Sequence, residues 1–287
     1  MKELVVISGK GGTGKTSLTA AFASLAENKI LCDADVDAAD LHLLMNPDIR
    51  MRTDFTGGGI AQIDLTKCVE CGLCMELCRF DAIRDGYRVD HIDCEGCGVC
   101  VDFCPEKAIE FPIQVCGEWY ISETRFGPMV HARLGIAEEN SGKLVTRIRQ
   151  ETQKLAEQRN LELIITDGPP GIGCPVIASI GGASALLIVA EPTVSGLHDM
   201  DRVAQLASHF KVPAMICVNK YDLNPGQAEA IEKLAEERKM VVLGRIPFDP
   251  IFTKSMIQGQ TIHEYDKDSK TSKIVADIWQ HVISIIQ

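Results

Sequence analysis

One stretch limits the fold of this 287-residue chain more than any other: Gly9-Lys10-Gly11-Gly12-Thr13-Gly14-Lys15-Thr16. It follows a short apolar run, Leu4–Ser8, which reads as a buried strand. It opens residues 15–27, where Leu18, Ala21, Phe22 and Leu25 share one face at helical spacing. A glycine-rich loop in that setting is a phosphate-binding loop. The glycines let backbone N–H groups converge on phosphate oxygens, and the helix N-terminus adds a favourable field. Lys15 is placed to reach the β- and γ-phosphates, and the Thr16 hydroxyl to ligate Mg²⁺. Gly9, Gly11, Gly12, Thr13, Gly14, Lys15, Thr16 and Ser17 are the expected nucleotide contacts.

The rest of the chain repeats a strand–helix rhythm. Apolar strand patterns fall at 30–32, 161–166, 184–190, 213–218 and 241–246. Helical patterns fall at 141–160, 196–209, 225–238 and 270–286. This alternation predicts a mostly parallel sheet with helices on both faces. After Met51 the rhythm breaks. Gly57, Gly58 and Gly59 read as a hinge, a cysteine-rich stretch follows, and residues 116–140 are mixed. The expected organisation is one α/β domain, 1–57 and 113–287, interrupted by a module at 58–112. The terminal helix carries Ile274, Ile278, Val282 and Ile285 on one stripe and should dock on the sheet.

Net charge of −11 and a pI near 5.1 leave no basic face for nucleic-acid phosphates. The chain starts MKELVV, directly into a strand, without signal-peptide character, and no apolar run reaches membrane-spanning length. The expectation is a cytoplasmic protein without stable membrane insertion.

Eight of the twelve cysteines form two runs: Cys68, Cys71, Cys74, Cys78, and Cys94, Cys97, Cys100, Cys104 followed by Pro105. Each is C-x₂-C-x₂-C-x₃-C, and the pair resembles bacterial two-cluster ferredoxins. That resemblance implies one [4Fe–4S] cluster on Cys68, Cys71, Cys74 and Cys104, and another on Cys94, Cys97, Cys100 and Cys78. Arg79 stands where the first run's proline would be. Two zinc sites fit less well, because zinc favours paired cysteines separated by a longer loop. Residues 64–112 carry eleven Asp/Glu against five Lys/Arg, an acidic surface suited to a basic redox partner. Cys32, Cys116 and Cys217 read as core residues, whereas Cys174, just after Pro169-Pro170-Gly171-Ile172-Gly173, could be reactive or lie at an interface. Trp119 and Tyr120 are expected to be packing residues. Arg125–Met129, with His131 and Arg133, reads as a partner-facing loop or as plain surface.

The KGGTGKT loop with its early Lys10, the Asp33-Ala34-Asp35 stretch and Asp167-Gly168-Pro169-Pro170-Gly171 resemble the MinD/ParA group of deviant-Walker ATPases. The resemblance implies that Lys10 crosses a nucleotide-dependent dimer to the partner's phosphates. It also implies that Asp33 orients the attacking water and that Asp35 lies in a switch sensing Mg²⁺ and the γ-phosphate. Asp167 would hold the metal, and the segment after it would be the second switch. No glutamate stands beside Asp167, which points to slow hydrolysis. Asn219-Lys220-Tyr221-Asp222 has the guanine-recognition pattern, yet the family has an asparagine at this strand end that reads adenine. Ile246-Pro247-Phe248-Asp249 resembles the segment whose backbone, at Pro247, brushes the base. Glu191-Pro192-Thr193 is expected to shape a loop.

The whole reading is therefore a MinD/ParA-like α/β P-loop ATPase, a mostly parallel sheet with helices on both faces, with an inserted ferredoxin-like 2[4Fe–4S] module. It binds ATP, Mg²⁺ and two [4Fe–4S] clusters, works as a homo- or heterodimer, and couples slow, partner-regulated hydrolysis to electron transfer with an unidentified redox or iron–sulfur client. Two alternatives are an iron–sulfur assembly or carrier ATPase and a nucleotide-dependent positioning switch.

Overall fold

The computed structural model describes residues 1–135 and 140–286. The chain divides into two compact units. The first comprises Met1–Arg52, Trp119–Arg133 and Ser141–Gln287; the second comprises Thr53–Glu118 and Leu134–Asn140.

The first unit begins with β1 (Lys2–Ser8), α1 (Lys15–Leu25), β2 (Lys29–Asp33) and α2 (Leu41–Met45). After β3 (Asp48–Gly59) the chain enters the second unit. This holds β4 (Gln62–Ile63), α3 (Leu73–Leu77), β5 (Ile83–Arg84), β6 (Arg88–Val89), α4 (Val99–Asp102) and β7 (Ile109–Glu110). It returns through β8 (Ile113–Thr124) and β9 (Gly127–Leu134) to α5 (Ser141–Gln158), β10 (Leu163–Pro170) and α6 (Cys174–Ile180). Then come β11 (Ala185–Ala190), α7 (Val194–His209), β12 (Ala214–Asn219), α8 (Pro225–Glu237) and β13 (Val241–Ile246). The helices α9 (Ile251–Ile257), α10 (Ile262–Tyr265) and α11 (Lys270–Ile286) end the chain.

The main sheet has the order β13-β12-β11-β1-β10-β2-β9-β8-β3. Pairs from β13 through to β9 are parallel. Both faces of the central strands are covered, so their sequences are continuous apolar runs. Along β1, Leu4 and Val6 point into one core with Phe22, Ile278 and Trp279, while Val5 and Ile7 point into the other with Val176, Met200 and Ile231. The α11 stripe docks as expected, with Trp279 against Phe22 at 5.0 Å between ring centroids.

One buried ion pair fastens the start of β1. The Arg149 guanidinium grips Glu3 with both arms, Nε to Oε1 at 3.0 Å, and donates through Nη1 to the carbonyls of Ala178 and Gly181. Thr166 donates to the same Glu3 carboxylate at 2.9 Å. Four of the five guanidinium N–H groups and both carboxylate oxygens are matched, which a buried pair needs to offset its desolvation.

Several expectations change. Residues 116–134 are largely two strands, β8 and β9, joined by Arg125 and Phe126. Gly57, Gly58 and Gly59 lie within β3 and are no hinge: a Cβ on Gly57 would meet Cys116 Sγ at 2.6 Å, and one on Gly59 would meet the Phe111 ring at 2.7 Å. These glycines permit close approach. Arg125 is no free partner contact, since its guanidinium forks onto Glu264 at 2.7 and 2.8 Å and reaches the Gly259 carbonyl. Trp119 is buried beneath the Arg147 guanidinium, and Tyr120 stacks on His131. Cys32 and Cys217 are core residues whose thiols burial pushes up to about 12; Cys116 is buried too.

In the second unit, α3 and α4 each follow a left-handed glycine, Gly72 and Gly98. β4 pairs with β7, and β5 with β6. One hollow is lined by Cys68, Cys71, Cys74 and Cys104, and a second by Cys78, Cys94, Cys97 and Cys100. The ferredoxin-like 2[4Fe–4S] module is nevertheless corrected. Among the described residues, no group of three or more His, Cys, Asp or Glu side chains is assembled so as to hold a metal ion. The fold that the structure supports is an α/β P-loop NTPase.

His131 generates a pH prediction. Burial, then His42 beside it, pushes its ring down to about 4 from an ordinary 6.5. Ser122 Oγ and His131 Nε2 share a hydrogen bond of 2.9 Å. The unfolded chain takes up this proton more readily than the folded one, so stability falls as pH drops from about 6.5 towards 4. A full shift of that size amounts to ~3 kcal/mol. In urea titrations across this window, His131→Gln should flatten the pH slope relative to wild type; an unchanged slope would refute the assignment.

Candidate nucleotide site

The phosphate loop sits at the C-terminal edge of the sheet, between β1 and α1, where ligands of doubly wound sheets bind. Gly12 and Gly14 have positive φ, 79° and 90°. A Cβ on Gly14 would also meet Asn219 Nδ2 at 2.4 Å, and one on Gly9 would meet Asp199 Cβ at 2.2 Å. At Gly11 and Gly12 an added Cβ would meet nothing within 4 Å. The loop is thus packed tightly behind and open in front. Thr13 Oγ1 is buried without a hydrogen-bond partner.

Neighbouring strand ends gather the charges. β1, β10 and β2 lie side by side, so the loop, Asp167 and Asp33 come to one edge. Lys15 Nζ lies 2.9 Å from Asp167 Oδ1 and 3.4 Å from Asp35 Oδ2. Thr16 donates to Asp167 Oδ2 at 2.7 Å. Thr19, one turn further along α1, donates to Oδ1 at 3.0 Å. Burial alone would push the Lys15 ammonium down, but Asp167 and Asp35 outweigh it and hold it above its ordinary value.

Asp33 is wholly buried. Its oxygens accept the backbone N–H groups of Asp35 and Leu41, each at 3.2 Å. Burial, then the Asp167 charge, pushes its carboxyl well up. Burial also raises Asp35, to about 6, against the pull of Lys15. Two carboxyls thus sit under strain of charge, and a metal cation would relieve it. Thr16, Asp35 and Asp167, gathered around Lys15, carry hard oxygens of the kind Mg²⁺ takes as ligands.

The residues that end or follow β12 and β13 are tied to the loop and to one another. Asn219 Nδ2 donates to Thr13 O at 2.7 Å, and its Oδ1 accepts the Lys220 N–H. Asp222 Oδ1 accepts the Phe248 N–H at 2.6 Å, beside half-buried Pro247. Ser17 turns to α9, where its hydroxyl faces the Met256 sulfur at 3.3 Å. Lys10 Nζ lies 3.1 Å from Glu191 Oε2. Lys220 Nζ bonds Glu191 Oε1 and donates to Gly12 O at 2.9 Å. Sequence reasoning passed over Thr19, Lys220 and the contacts of Glu191; the i, i+3 spacing of Thr16 and Thr19 was the one available signal. Cys174 is exposed at the start of α6, near Gly142.

The sequence model of the CobQ/CobB/MinD/ParA nucleotide-binding domain matches residues 4–262. The chain belongs to this family. It is 31% identical over 288 residues to MJ0578, an uncharacterized protein of Methanocaldococcus jannaschii, covering 99% of this chain and 97% of that one. Among solved structures it is similar to the cell division ATPase MinD of Pyrococcus furiosus, at TM-score 0.61 and 17% identity over 99% of each chain. It is also similar to the septum site-determining protein MinD of Pyrococcus horikoshii complexed with Mg-ADP, at TM-score 0.60 and 16% identity over 100% and 98% of the two chains. As a member of the CobQ/CobB/MinD/ParA family, the protein is an ATPase, converting ATP and water to ADP and phosphate.

These findings complete the correction. They support ATP and Mg²⁺ as cofactors and give no support to two [4Fe–4S] clusters, to electron transfer, or to a redox or iron–sulfur client. The iron–sulfur carrier alternative loses its basis with them. Among the described residues no helix is long and apolar enough to cross a membrane.

The bond from Asp222 to Phe248 N–H yields a nucleotide-selectivity prediction. A carboxylate that reads guanine accepts from the ring, and Oδ1 of this one already accepts from its own backbone. Asp222→Ala should cost about 1 kcal/mol of stability and leave the preference for ATP over GTP unchanged in competition binding. A changed preference would show that Asp222 reads the base.

Proposed function

We propose that this protein is an ATP-dependent switch of the MinD/ParA type, whose two nucleotide states engage and release a partner protein. ATP closes two subunits, this chain twice or this chain and a relative, against each other across the phosphate-loop face. Hydrolysis reopens them. The observation that supports this most is the division of labour between the two lysines of one loop. Lys15 is buried among its own carboxylates, whereas the Lys10 side chain stays one-third exposed at the rim. A chain needing only its own phosphate contacts has no use for the second lysine.

Within this reading, Lys15 moves from Asp167 and Asp35 to the β- and γ-phosphates. Thr16, Asp35 and Asp167 are then free to hold Mg²⁺, which would neutralise phosphate charge. Gly9, Gly11, Gly12, Thr13, Gly14 and Thr16 line the phosphate cradle; the open front of Gly11 and Gly12 and the unpartnered Thr13 hydroxyl fit that use. Asn219 and Pro247 border the base. Asp33 orients water while bracing residues 35–41 through its two backbone bonds. Without a glutamate next to Asp167 in sequence, proton abstraction is weakly assisted and turnover is slow. The ATPase domain is the first unit, residues 1–52, 119–133 and 141–287, somewhat narrower than the expected 1–57 and 113–287, with the cysteine-bearing unit inserted, and the setting is the cytoplasm.

The test is oligomeric state by light scattering with Mg²⁺ and a non-hydrolysable ATP analogue. Wild type should dimerise with the analogue and remain monomeric with ADP. Lys10→Ala should bind nucleotide but lose both dimerisation and hydrolysis. Equal dimerisation of the two proteins, or none with the analogue, would sink the proposal.

A further inference from the structure

Glu191 stands just beyond β11, and its side chain is only 16% exposed. One carboxylate meets two ammonium groups, Lys10 from the phosphate loop and Lys220 from beyond β12. Burial alone would raise this carboxyl, but Lys220 and Lys10 outweigh it and hold it below its ordinary value. The surroundings are built for this. Gly196 is required over Glu191, since a Cβ there would meet the Glu191 carbonyl oxygen at 2.3 Å. Lys220 adopts a left-handed conformation, φ 57°, a strained choice for a lysine. That backbone accompanies the bond from its ammonium to Gly12 O. Thr193 Oγ1 and Ser195 Oγ lie 3.4 and 3.5 Å from Lys10 Nζ, beside Glu191 at the start of α7.

We propose that Glu191 is a positioning residue that latches Lys10 onto its own subunit, and that Lys220 makes the latch releasable. A lysine held by Glu191 cannot simultaneously serve a phosphate across a dimer. Its departure would strand a half-buried carboxylate if nothing else were bound there. Lys220 remains on Glu191 when Lys10 leaves, so the carboxylate is never bare. The latch opposes dimer closure until a partner's phosphates offer Lys10 more negative charge. This rests on the reading of Lys10 as the lysine that crosses the dimer.

The experiment measures the dimer dissociation constant with Mg²⁺ and a non-hydrolysable ATP analogue, and monomer affinity with ADP by calorimetry. Glu191→Gln removes the charge while keeping an acceptor oxygen. It should tighten the dimer about two- to fivefold, the scale of a partly exposed ion pair, with ADP affinity unchanged. Structural damage would loosen the dimer, so the direction separates a latch from a scaffold. Lys220→Gln leaves Glu191 with Lys10 alone and should weaken the dimer. In a Lys10→Ala background, Glu191→Gln should change nothing. If Glu191→Gln leaves the dimer unchanged or loosens it, or Lys220→Gln does not weaken it, the latch is refuted. If Lys10→Ala alone dimerises like wild type, the underlying reading of Lys10 fails instead. Should Glu191→Gln not fold, Glu191→Asp, whose shorter side chain draws the carboxylate back from Lys10, should tighten the dimer in its place, and an unchanged or looser dimer refutes the latch.

Discussion

The site depends on a single buried lysine among carboxylates. Lys15 Nζ touches Asp167 and Asp35, and Asp33 stands behind them with no exposure. Remove the ammonium and three aspartates at adjacent strand ends face each other in a medium where like charges repel strongly. Supply a phosphate, and the same ammonium has a better partner than either carboxylate. The cluster is therefore poised between two arrangements, and each aspartate begins a segment that can carry the change outward. Asp33 and Asp35 hold the turn leading to α2; Asp167 ends in the Gly168-Pro169-Pro170-Gly171 run leading to α6.

The sheet makes this possible by placement. β1, β10 and β2 are neighbours although far apart in sequence, so the loop, Asp33 and Asp167 share an edge. Alternate residues of β1 supply two cores, and the Arg149–Glu3 pair fastens its start. The strand that feeds the loop is thus fixed from three sides. On the far side of the loop, Asn219 and Lys220 tie Thr13 O and Gly12 O to β12. The loop's frame is rigid, and its freedom lies in where Lys10 and Lys15 place their charges.

Much of this was legible in the chain. Buried parallel strands write themselves as apolar runs, so β1, β11, β12 and β13 could be read within a residue or two, and the α11 stripe announced its docking. The strands β3, β8 and β9 could not. Asp48–Gly59 is charged, glycine-rich and mostly exposed, and Ile113–Thr124 lacks clean alternation; pairing, which sequence does not display, makes them strands. The phosphate loop and its aspartates were visible because their chemistry needs fixed residue types. Glu191 was read as loop-shaping because its two lysine partners lie 181 and 29 positions away. The cysteine runs misled by the strength of their spacing. Spacing describes how thiols could converge, and the described structure assembles no metal-holding group there.

The central claim is that a triphosphate draws Lys15 away from its carboxylates and so reorders both switch segments. Amide hydrogen exchange tests this directly, comparing the protein with Mg²⁺ and ADP against Mg²⁺ and a non-hydrolysable ATP analogue. The account predicts that residues 33–41 and 167–174 both gain protection with the triphosphate beyond that given by ADP, while β12 and β13 stay constant. Identical exchange in the two nucleotide states, or a change confined to the phosphate loop, would contradict it.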